Sequence, residues 1–320
     1  MTEGLFWGIP VILYLFLAGM GAGATTISAS MLLRGGGGPR GVHHEIARYG
    51  AILGPIPVIV GTGLIVLELG AFQHGDYFKF FNLLLVVNLS PMNVGSWLLF
   101  LFTATSVAYA YTYLKFLPMP LGDRLKWRRA LAWVNVPLGI GVAVYTGVML
   151  GAMPSRPFWN SPVLALLFML SALSSGTALI IFARALITRG GLTEEQREVV
   201  HKSGYVLAAT DTMIIGLELI SVFLFLMFAY LTVGDVRYAV DTILPGGPLA
   251  SLFWIGVVLV GLVIPGLLEL YFVIPGLLYH RKYTVSRYTE LVIAAAVIFG
   301  ALVLRYVVVV AGQITGPVGI

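Results

Sequence analysis

Eight apolar stretches of about twenty residues or more constrain the fold of this chain more than any other feature. They run over 5–32, 50–70, 92–116, 131–152, 162–187, 204–232, 249–279 and 290–312. A helix rises about 1.5 Å per residue, so roughly 20 apolar residues cross the hydrocarbon core of a bilayer. Only 10% of the 320 residues are charged, too few to coat a soluble protein of this size. The sequence therefore predicts an all-α integral membrane protein with eight transmembrane helices, spans one to eight.

The connections between the spans are short. About twenty residues or fewer separate neighbouring apolar stretches, so no connection is long enough to fold as a catalytic domain. We therefore predict one polytopic membrane domain over 1–320, with any functional site inside the bilayer or at its edge. Spans one and five share runs of small residues, at 17–23 and 170–176. Either two four-helix bundles, over 1–152 and 153–320, or simple close packing of helices explains this likeness.

Lys and Arg are distributed unevenly between the two sides of the predicted bundle. One side has Arg34, Arg40, Arg48, Lys115, Arg124, Lys126, Arg128, Arg129, Arg184, Arg189, Arg197, Lys202, Arg281, Lys282 and Arg287; the other has Lys79, Arg156 and Arg237. Cytoplasmic connections carry the excess of Lys and Arg in membrane proteins, so both termini are predicted to face outside. The same asymmetry explains the net charge of +5 without a nucleic-acid partner. Trp7, Trp97 and Trp159 are expected as interface anchors on the outer side.

Metal-binding side chains are scarce in this sequence. The chain has no Cys, and its five histidines lie in connections or at the ends of spans. The lack of Cys excludes thiolate-held iron–sulfur clusters and covalently attached haem, and a haem inside a membrane bundle needs histidine pairs at membrane depth. We therefore expect no haem or metal in this chain. Metal centres that exchange electrons with it would belong to a partner.

Three carboxyl groups fall at membrane depth in the second half of the chain. Asp211 and Glu218 are two helical turns apart on one face of span six, and Glu269 lies in the inner third of span seven. An ionisable group in hydrocarbon costs about 2.5–3.5 kcal/mol on insertion scales, which makes each a functional candidate. We predict a proton pathway through these carboxyl groups. The alternative is that buried ionisable groups pair and only hold the bundle together.

A second polar group lies nearer the predicted outer side. Tyr14, Tyr145, Arg305 and Glu68, at the end of span two, fall at similar depth. A buried apolar pocket with a few convergent polar groups suits a lipid-soluble ligand such as a quinone. A pairing of Glu68 with Arg305 is the simpler alternative. His74, in the second connection, is a further candidate for proton transfer at this site.

Several segments resemble the membrane subunits of the NrfD and polysulfide reductase family. They are 14–23 in span one, 88–97 entering span three, 145–147 followed by 156–160, and 304–306 leading to 311–313. Their order extends over nearly the whole chain. At the end of span two some relatives read Asp-Leu-Gly-Arg-Pro, whereas this chain reads Glu-Leu-Gly-Ala-Phe from Glu68 onward. The carboxylate is therefore kept and the arginine is not.

The resemblance implies an eight-helix, quinone-reactive anchor in the prokaryotic plasma (inner) membrane, without haem or metal of its own. It implies menaquinone or ubiquinone as ligand, a ferredoxin-like partner with 4Fe–4S clusters, and a molybdopterin subunit that acts on the terminal substrate. Polysulfide, thiosulfate, nitrite or formate chemistry would therefore lie outside this chain. Tyr145 matches a family tyrosine implicated in quinone contact. Tyr14 would hold the second carbonyl oxygen, Glu68 or His74 would handle protons, and Arg305 would balance negative charge.

Two other functions also fit the sequence. A secondary transporter has buried carboxylates among Gly-rich helices, but its broken helices come in matched pairs, and Pro265 and Pro275 have no clear counterparts in the first half. A purely structural anchor would explain the eight spans. It would leave the buried polar residues without a role.

Overall fold

A computed structural model describes residues 7–35, 41–68, 85, 90–114, 121–187, 194–279 and 283–316, with the backbone alone for Leu67, Glu68 and Leu121. The described residues form helices and no strand, and eight helical segments are long and apolar enough to cross a membrane. The all-α prediction with eight spans is confirmed. The spans are Ile9–Arg34, Val42–Leu53 with Pro55–Glu68, Pro91–Tyr111, Leu121–Gly151, Pro162–Ile187, Glu194–Leu231, Leu252–Val263 with Ile264–Tyr279, and Arg287–Ile314. A short helix, Asp235–Val240, lies in the sixth connection.

Local sequence signals fix several helix ends. Span three begins after Ser90, whose hydroxyl accepts a hydrogen bond from the Asn93 amide at 3.3 Å, and Pro91 occupies the first turn. Serine is a favoured N-cap, and proline in the first turn gives up no helical hydrogen bond. Span two divides at Gly54, since the next residue, Pro55, has no amide hydrogen to donate.

Spans four and six begin earlier than predicted, at Leu121 and Glu194. Glu194 and Glu195 in the first turn of span six favour a helix start there through the helix dipole. Two arginines of the cation-rich side are buried in the bundle: Arg128 is 7% exposed and Arg184 is 2% exposed. The sequence did not predict their burial, because each has partners that only the folded bundle supplies.

Span one lies at the centre of the bundle and packs against spans two, four and five. Its small residues meet those of span five: a Cβ at Gly23 would overlap the Ala172 carbonyl group, and a Cβ at Gly176 would overlap the backbone of Gly23 and Ala24. The two small-residue runs therefore form one close helix crossing. In the first half, span one contacts spans two and four, and span three contacts span four. In the second half, span five likewise contacts spans six and eight, and span seven contacts span eight. This is the pattern expected of two four-helix bundles, which stay a prediction.

The first half of span seven is a π-helix of 12 residues, Leu252–Val263. Sequence periodicity does not predict this form, which is rare and usually short. Pro265 follows it and cannot donate a backbone hydrogen bond. Glu269, one turn beyond Pro265, is 3% exposed and faces span six, where Thr212 donates to it at 3.2 Å.

The two ends of the described chain lie together. The Trp7 amide donates to Gln313 Oε1 at 2.9 Å, and Gln313 Nε2 donates to the Trp7 carbonyl oxygen at 3.1 Å. We call this the terminal end of the bundle, and the other the opposite end. An even number of spans requires both termini on one side, and the outward orientation of that side stays a prediction.

Candidate functional site

Tyr14 on span one and Tyr145 on span four come together below the terminal end. They are 4% and 8% exposed, and they are close enough to interact electrostatically. The Tyr145 hydroxyl lies 3.5 Å from Met149 Sδ, and a thioether is only a weak acceptor. The structure therefore brings together two phenols that the sequence singled out, in an apolar setting.

Gly95 on span three makes room for Tyr145. A Cβ at this position would overlap the Tyr145 ring and its hydroxyl oxygen. Gly95 and Tyr145 belong to two of the segments that resemble the NrfD family, and their close approach limits the positions open to the Tyr145 phenol.

Other segments of that resemblance meet at the terminal end. Trp159 Nε1 donates to the Val308 carbonyl oxygen at 2.7 Å, and the Trp159 ring stacks on Trp7 with 5.2 Å between centroids. The Arg156 guanidinium donates to the Gln313 carbonyl oxygen at 2.9 Å. Trp159 is only 2% exposed, so its assignment as an interface anchor was wrong. It is a buried residue that joins the fourth connection to span eight.

Arg305 on span eight is completely buried. It donates to the Ser171 hydroxyl and, at 3.2 Å, to the Phe168 carbonyl oxygen, both on span five. A Cβ at Gly19 would lie 3.5 Å from its guanidinium. Gly19 is five residues after Tyr14, or about 7.5 Å along the helix axis. The guanidinium therefore lies deeper in the bundle than the tyrosine pair.

Arg305 is linked to the carboxyl groups of the predicted proton pathway. Glu218 lies close enough to Ser171, which accepts a hydrogen bond from Arg305, and to Arg305 itself for the two charges to interact. Asp211 interacts with Glu218 on one side and with Glu269 on the other. We call Glu218, Asp211 and Glu269 the carboxylate line. The structure places the three predicted residues in sequence, with Arg305 at the end nearer the tyrosine pair.

Hydroxyl groups accompany the carboxylate line. The Ser174 hydroxyl donates to Asp211 Oδ1 at 2.9 Å, and Thr212 donates to Glu269 Oε2. Asp211 Oδ2 is buried and has no hydrogen-bond partner among the described residues. A buried carboxyl group left half-satisfied is costly. A carboxyl group with one free oxygen is able to form a new hydrogen bond without breaking an existing one, as a proton relay requires.

The line continues to the opposite end through residues that the sequence interpretation missed. The Arg184 guanidinium lies 2.7 Å from both carboxylate oxygens of Glu290 and donates to the Ser203 hydroxyl at 3.3 Å. Burial raises the pKa of Tyr283, in the seventh connection, and the carboxylates of Glu290 and Glu269 raise it further. Arg184, Glu290 and Tyr283 stand near or beyond the ends of apolar stretches, where a polar side chain usually faces water. Only the packing of spans five, six and eight shows their burial.

Two predicted residues cannot be placed by side chain. Glu68 is the last described residue of the span-two helix, but its side chain lies outside the described part of the chain, and His74 lies wholly outside it. The alternative pairing of Glu68 with Arg305 stays untested. No cluster of His, Cys, Asp and Glu within the described ranges could hold a metal ion.

Comparison with known proteins identifies the family. The family model described as "Polysulphide reductase, NrfD" matches residues 1–317. A polysulfide reductase polypeptide of Wolinella succinogenes is 30% identical over 96% of this chain and 94% of its own length. Protein NrfD of Escherichia coli K12 is 29% identical over 98% and 96%, and a selenate reductase polypeptide of Mesobacillus selenatarsenatis is 29% identical over 45% and 32%. The chain, with its eight spans and its converging motifs, belongs to the NrfD family of polysulphide reductase membrane subunits.

Proposed function

We propose that this chain is the quinone-reactive membrane subunit of a respiratory reductase complex in the prokaryotic plasma membrane. Two of its relatives are named as parts of reductases. In the proposed complex, a ferredoxin-like 4Fe–4S subunit docks at the terminal end, and a molybdopterin subunit acts on the terminal substrate. This chain then provides the quinone site and no catalytic residue for the terminal substrate.

The observation that carries this proposal is the buried pair of Tyr14 and Tyr145. Two phenols from facing helices offer one donor to each of the two carbonyl oxygens of a quinone. Their surroundings are apolar, as a lipid-soluble ligand requires. The lack of a side chain at Gly95 leaves the space that the Tyr145 ring occupies. The residues present therefore fit a quinone, and a bound menaquinone or ubiquinone supplies two-electron, two-proton chemistry.

The charged residues complete the proposed site. The buried Arg305 guanidinium supplies positive charge that stabilises negative charge developing on a ligand held by the tyrosines. Glu68 and His74 are proposed to exchange protons at this site with the water on the terminal side. Because Arg305 also interacts with Glu218, a change of charge at the site affects the carboxylate line.

The carboxylate line is proposed to carry protons between this site and the opposite side of the membrane. Glu218, Asp211 and Glu269 are each at most 3% exposed and interact in order. Successive transfers along such a row couple turnover to the proton gradient. Asp211 supports this proposal, because its Oδ2 is buried without a hydrogen-bond partner among the described residues and is therefore able to take up a proton from a neighbouring group.

Extraction of the purified protein tests the proposal. The protein is isolated in mild detergent with the proteins that co-purify, and its bound lipids and metals are identified. We expect bound quinone, and iron that leaves with a separable partner. Two results together would contradict the proposal: an assembled complex that contains no quinone, and quinone-linked turnover that is the same with and without the double substitution Tyr14→Phe and Tyr145→Phe.

A further inference from the structure

A large cavity opens at the opposite end of the bundle. Its volume is about 1080 Å³, and it lies between the start of span two, the first turns of span six and the end of span seven. Its lining includes His43, Glu198, His201, Tyr205 and Tyr283. The cavity is distant from the tyrosine pair, because it lies at the other end of the helices. The proposed quinone site does not account for it.

The mouth of this cavity is polar and charged. Exposed ion pairs join Lys202 to Glu198 at 2.7 Å and Arg197 to Glu194 at 3.4 Å. Such pairs contribute little to stability, but they keep the opening wet. The opening of the cavity is therefore accessible to water and small ions.

One residue of the inner wall lies within electrostatic range of the carboxylate line. The Tyr283 ring contacts Tyr205 edge to face, with 6.2 Å between centroids, and both line the cavity. Tyr283 also interacts electrostatically with Glu269, the last member of the line, and with Glu290. One side chain thus faces the cavity on one side and the buried carboxyl groups on the other.

We propose that the cavity is the aqueous entrance to the carboxylate line, and that Tyr283 is the side chain separating its water from Glu269. The inference rests on the proposed proton pathway and names where that pathway meets the opposite side. A phenol hydroxyl both accepts and donates. It accepts a proton from water in the cavity as its own proton leaves on the side of Glu269, so its charge is the same before and after. A metal cation cannot pass in this way.

The absence of Cys from this chain makes the inference directly testable. Single cysteines are introduced by Thr212→Cys, His201→Cys and Met213→Cys, and their reaction with a small, charged, membrane-impermeant thiol reagent is timed in native membranes. Thr212 donates to Glu269, so its position reports on water beyond Tyr283. Met213, the next residue, is 72% exposed on the outer surface of the bundle and serves as the matched control for lipid-facing positions.

We expect rapid reaction at His201→Cys, slow reaction at Thr212→Cys and none at Met213→Cys. Addition of Tyr283→Ala should accelerate the reaction at Thr212→Cys at least tenfold, whereas addition of Tyr205→Ala should change it much less. Tyr283→Leu serves in the same assay if the alanine variant fails to assemble. The accelerated reaction should occur in everted vesicles and not in right-side-out ones, since the cavity is predicted to face the cytoplasm.

Equal rates at Thr212→Cys with and without Tyr283 would overturn the inference, as would rapid reaction there in the otherwise unchanged protein. The assay measures water access and requires no turnover. The proposed entrance can therefore be refuted by this assay even if the complex is shown to transport protons. It can also be supported by this assay even if the complex moves no protons. Failure of the proposed function is detected separately, by the bound quinone and by proton movement.

Discussion

The two halves of this bundle bury polar groups in different ways. In spans one to four, the Ser28 hydroxyl donates to the Ala47 carbonyl oxygen at 2.5 Å and lies 3.3 Å from the Tyr109 hydroxyl, which lies 3.3 Å from that of Tyr113. The Arg128 guanidinium covers the Tyr113 ring at 4.0 Å. In spans five to eight, the corresponding interior holds the carboxylate line. Both rows are buried and hydrogen-bonded, but only the second contains acids.

This difference separates structural polar groups from candidate proton carriers. The hydroxyl groups of the first row lie within hydrogen-bond distance of one another, and the Arg128 guanidinium donates to the Thr112 carbonyl oxygen at 2.7 Å, while its Nε has no partner among the described residues. The carboxylate line has an acid oxygen without a partner among the described residues, on Asp211. Burial of a polar group is therefore not enough to indicate function. Incomplete pairing occurs in both halves, so the acidic chemistry of the buried groups carries the inference.

The largest expected effect on proton movement comes from removing one acid of the carboxylate line. Glu218→Gln keeps the shape of the side chain and removes its ability to exchange a proton. We expect turnover-linked proton movement to fall at least tenfold, which corresponds to about 1.4 kcal/mol or more of barrier, with normal assembly. Proton movement is followed with a pH-sensitive dye in proteoliposomes that contain the whole complex. Asp123→Asn, an exposed change at the start of span four, is the control, and undiminished proton movement in Glu218→Gln would remove the line from the mechanism.

The next effect concerns stability at the opposite end. Arg184→Met leaves Glu290 without its guanidinium partner, and breaking a buried ion pair costs about 3–5 kcal/mol. We expect a clear loss of thermal stability in detergent. The double substitution with Glu290→Leu should recover much of it, because no unpaired charge remains. If Arg184→Met alone were as stable as the unchanged protein, the ion pair could not be the anchor between spans five and eight.

A smaller effect is expected where the two motifs pack together at the terminal end. Gly95→Ala forces the Tyr145 ring to move, since the new methyl group would overlap it. We expect a higher quinone concentration for half-maximal turnover, by about tenfold or 1.4 kcal/mol. Gly63→Ala on span two is the matched control, because a Cβ there would meet nothing within 4 Å. Equal kinetics for the two variants would show that the position of Tyr145 is unimportant.

The smallest effect sharpens the comparison of the two halves. Tyr109→Phe removes one hydroxyl from the row in spans one to four. A typical internal hydrogen bond contributes about 0.5–1.5 kcal/mol, so we expect a modest drop in melting temperature and unchanged proton movement. A loss of proton movement in Tyr109→Phe would mean that the first half also carries protons.

Much of this architecture was predictable from the sequence. Length and hydropathy predict the eight spans, and the two-turn spacing of Asp211 and Glu218 predicts their shared face. The sequence predicts the depth of Glu269 in the membrane but not its contact with span six. The direction of its side chain depends on the winding of span seven, which is a π-helix before Pro265, and hydropathy does not reveal that winding.

The remaining features depend on packing between distant segments. Arg184 and Glu290 are 106 residues apart, and each stands near the end of an apolar stretch, where charged side chains usually reach water. Trp159 has the residue type and the sequence position of an interface anchor, yet its partners on span eight bury it. Sequence position alone gives depth in the membrane, whereas the direction of a side chain depends on which helices cross it.

The central claim is that Tyr14 and Tyr145 hold a quinone, and quinone-linked turnover of the assembled complex tests it most directly. Tyr14→Phe, Tyr145→Phe and the control Tyr230→Phe, an exposed tyrosine on span six, are compared in membranes. The terminal activity of each complex is also measured with an artificial electron donor that bypasses this subunit. We predict that quinone-linked turnover falls at least tenfold in the first two variants and is kept in the third, with equal bypass activity in all. Unchanged quinone-linked turnover in Tyr14→Phe and Tyr145→Phe would contradict the account.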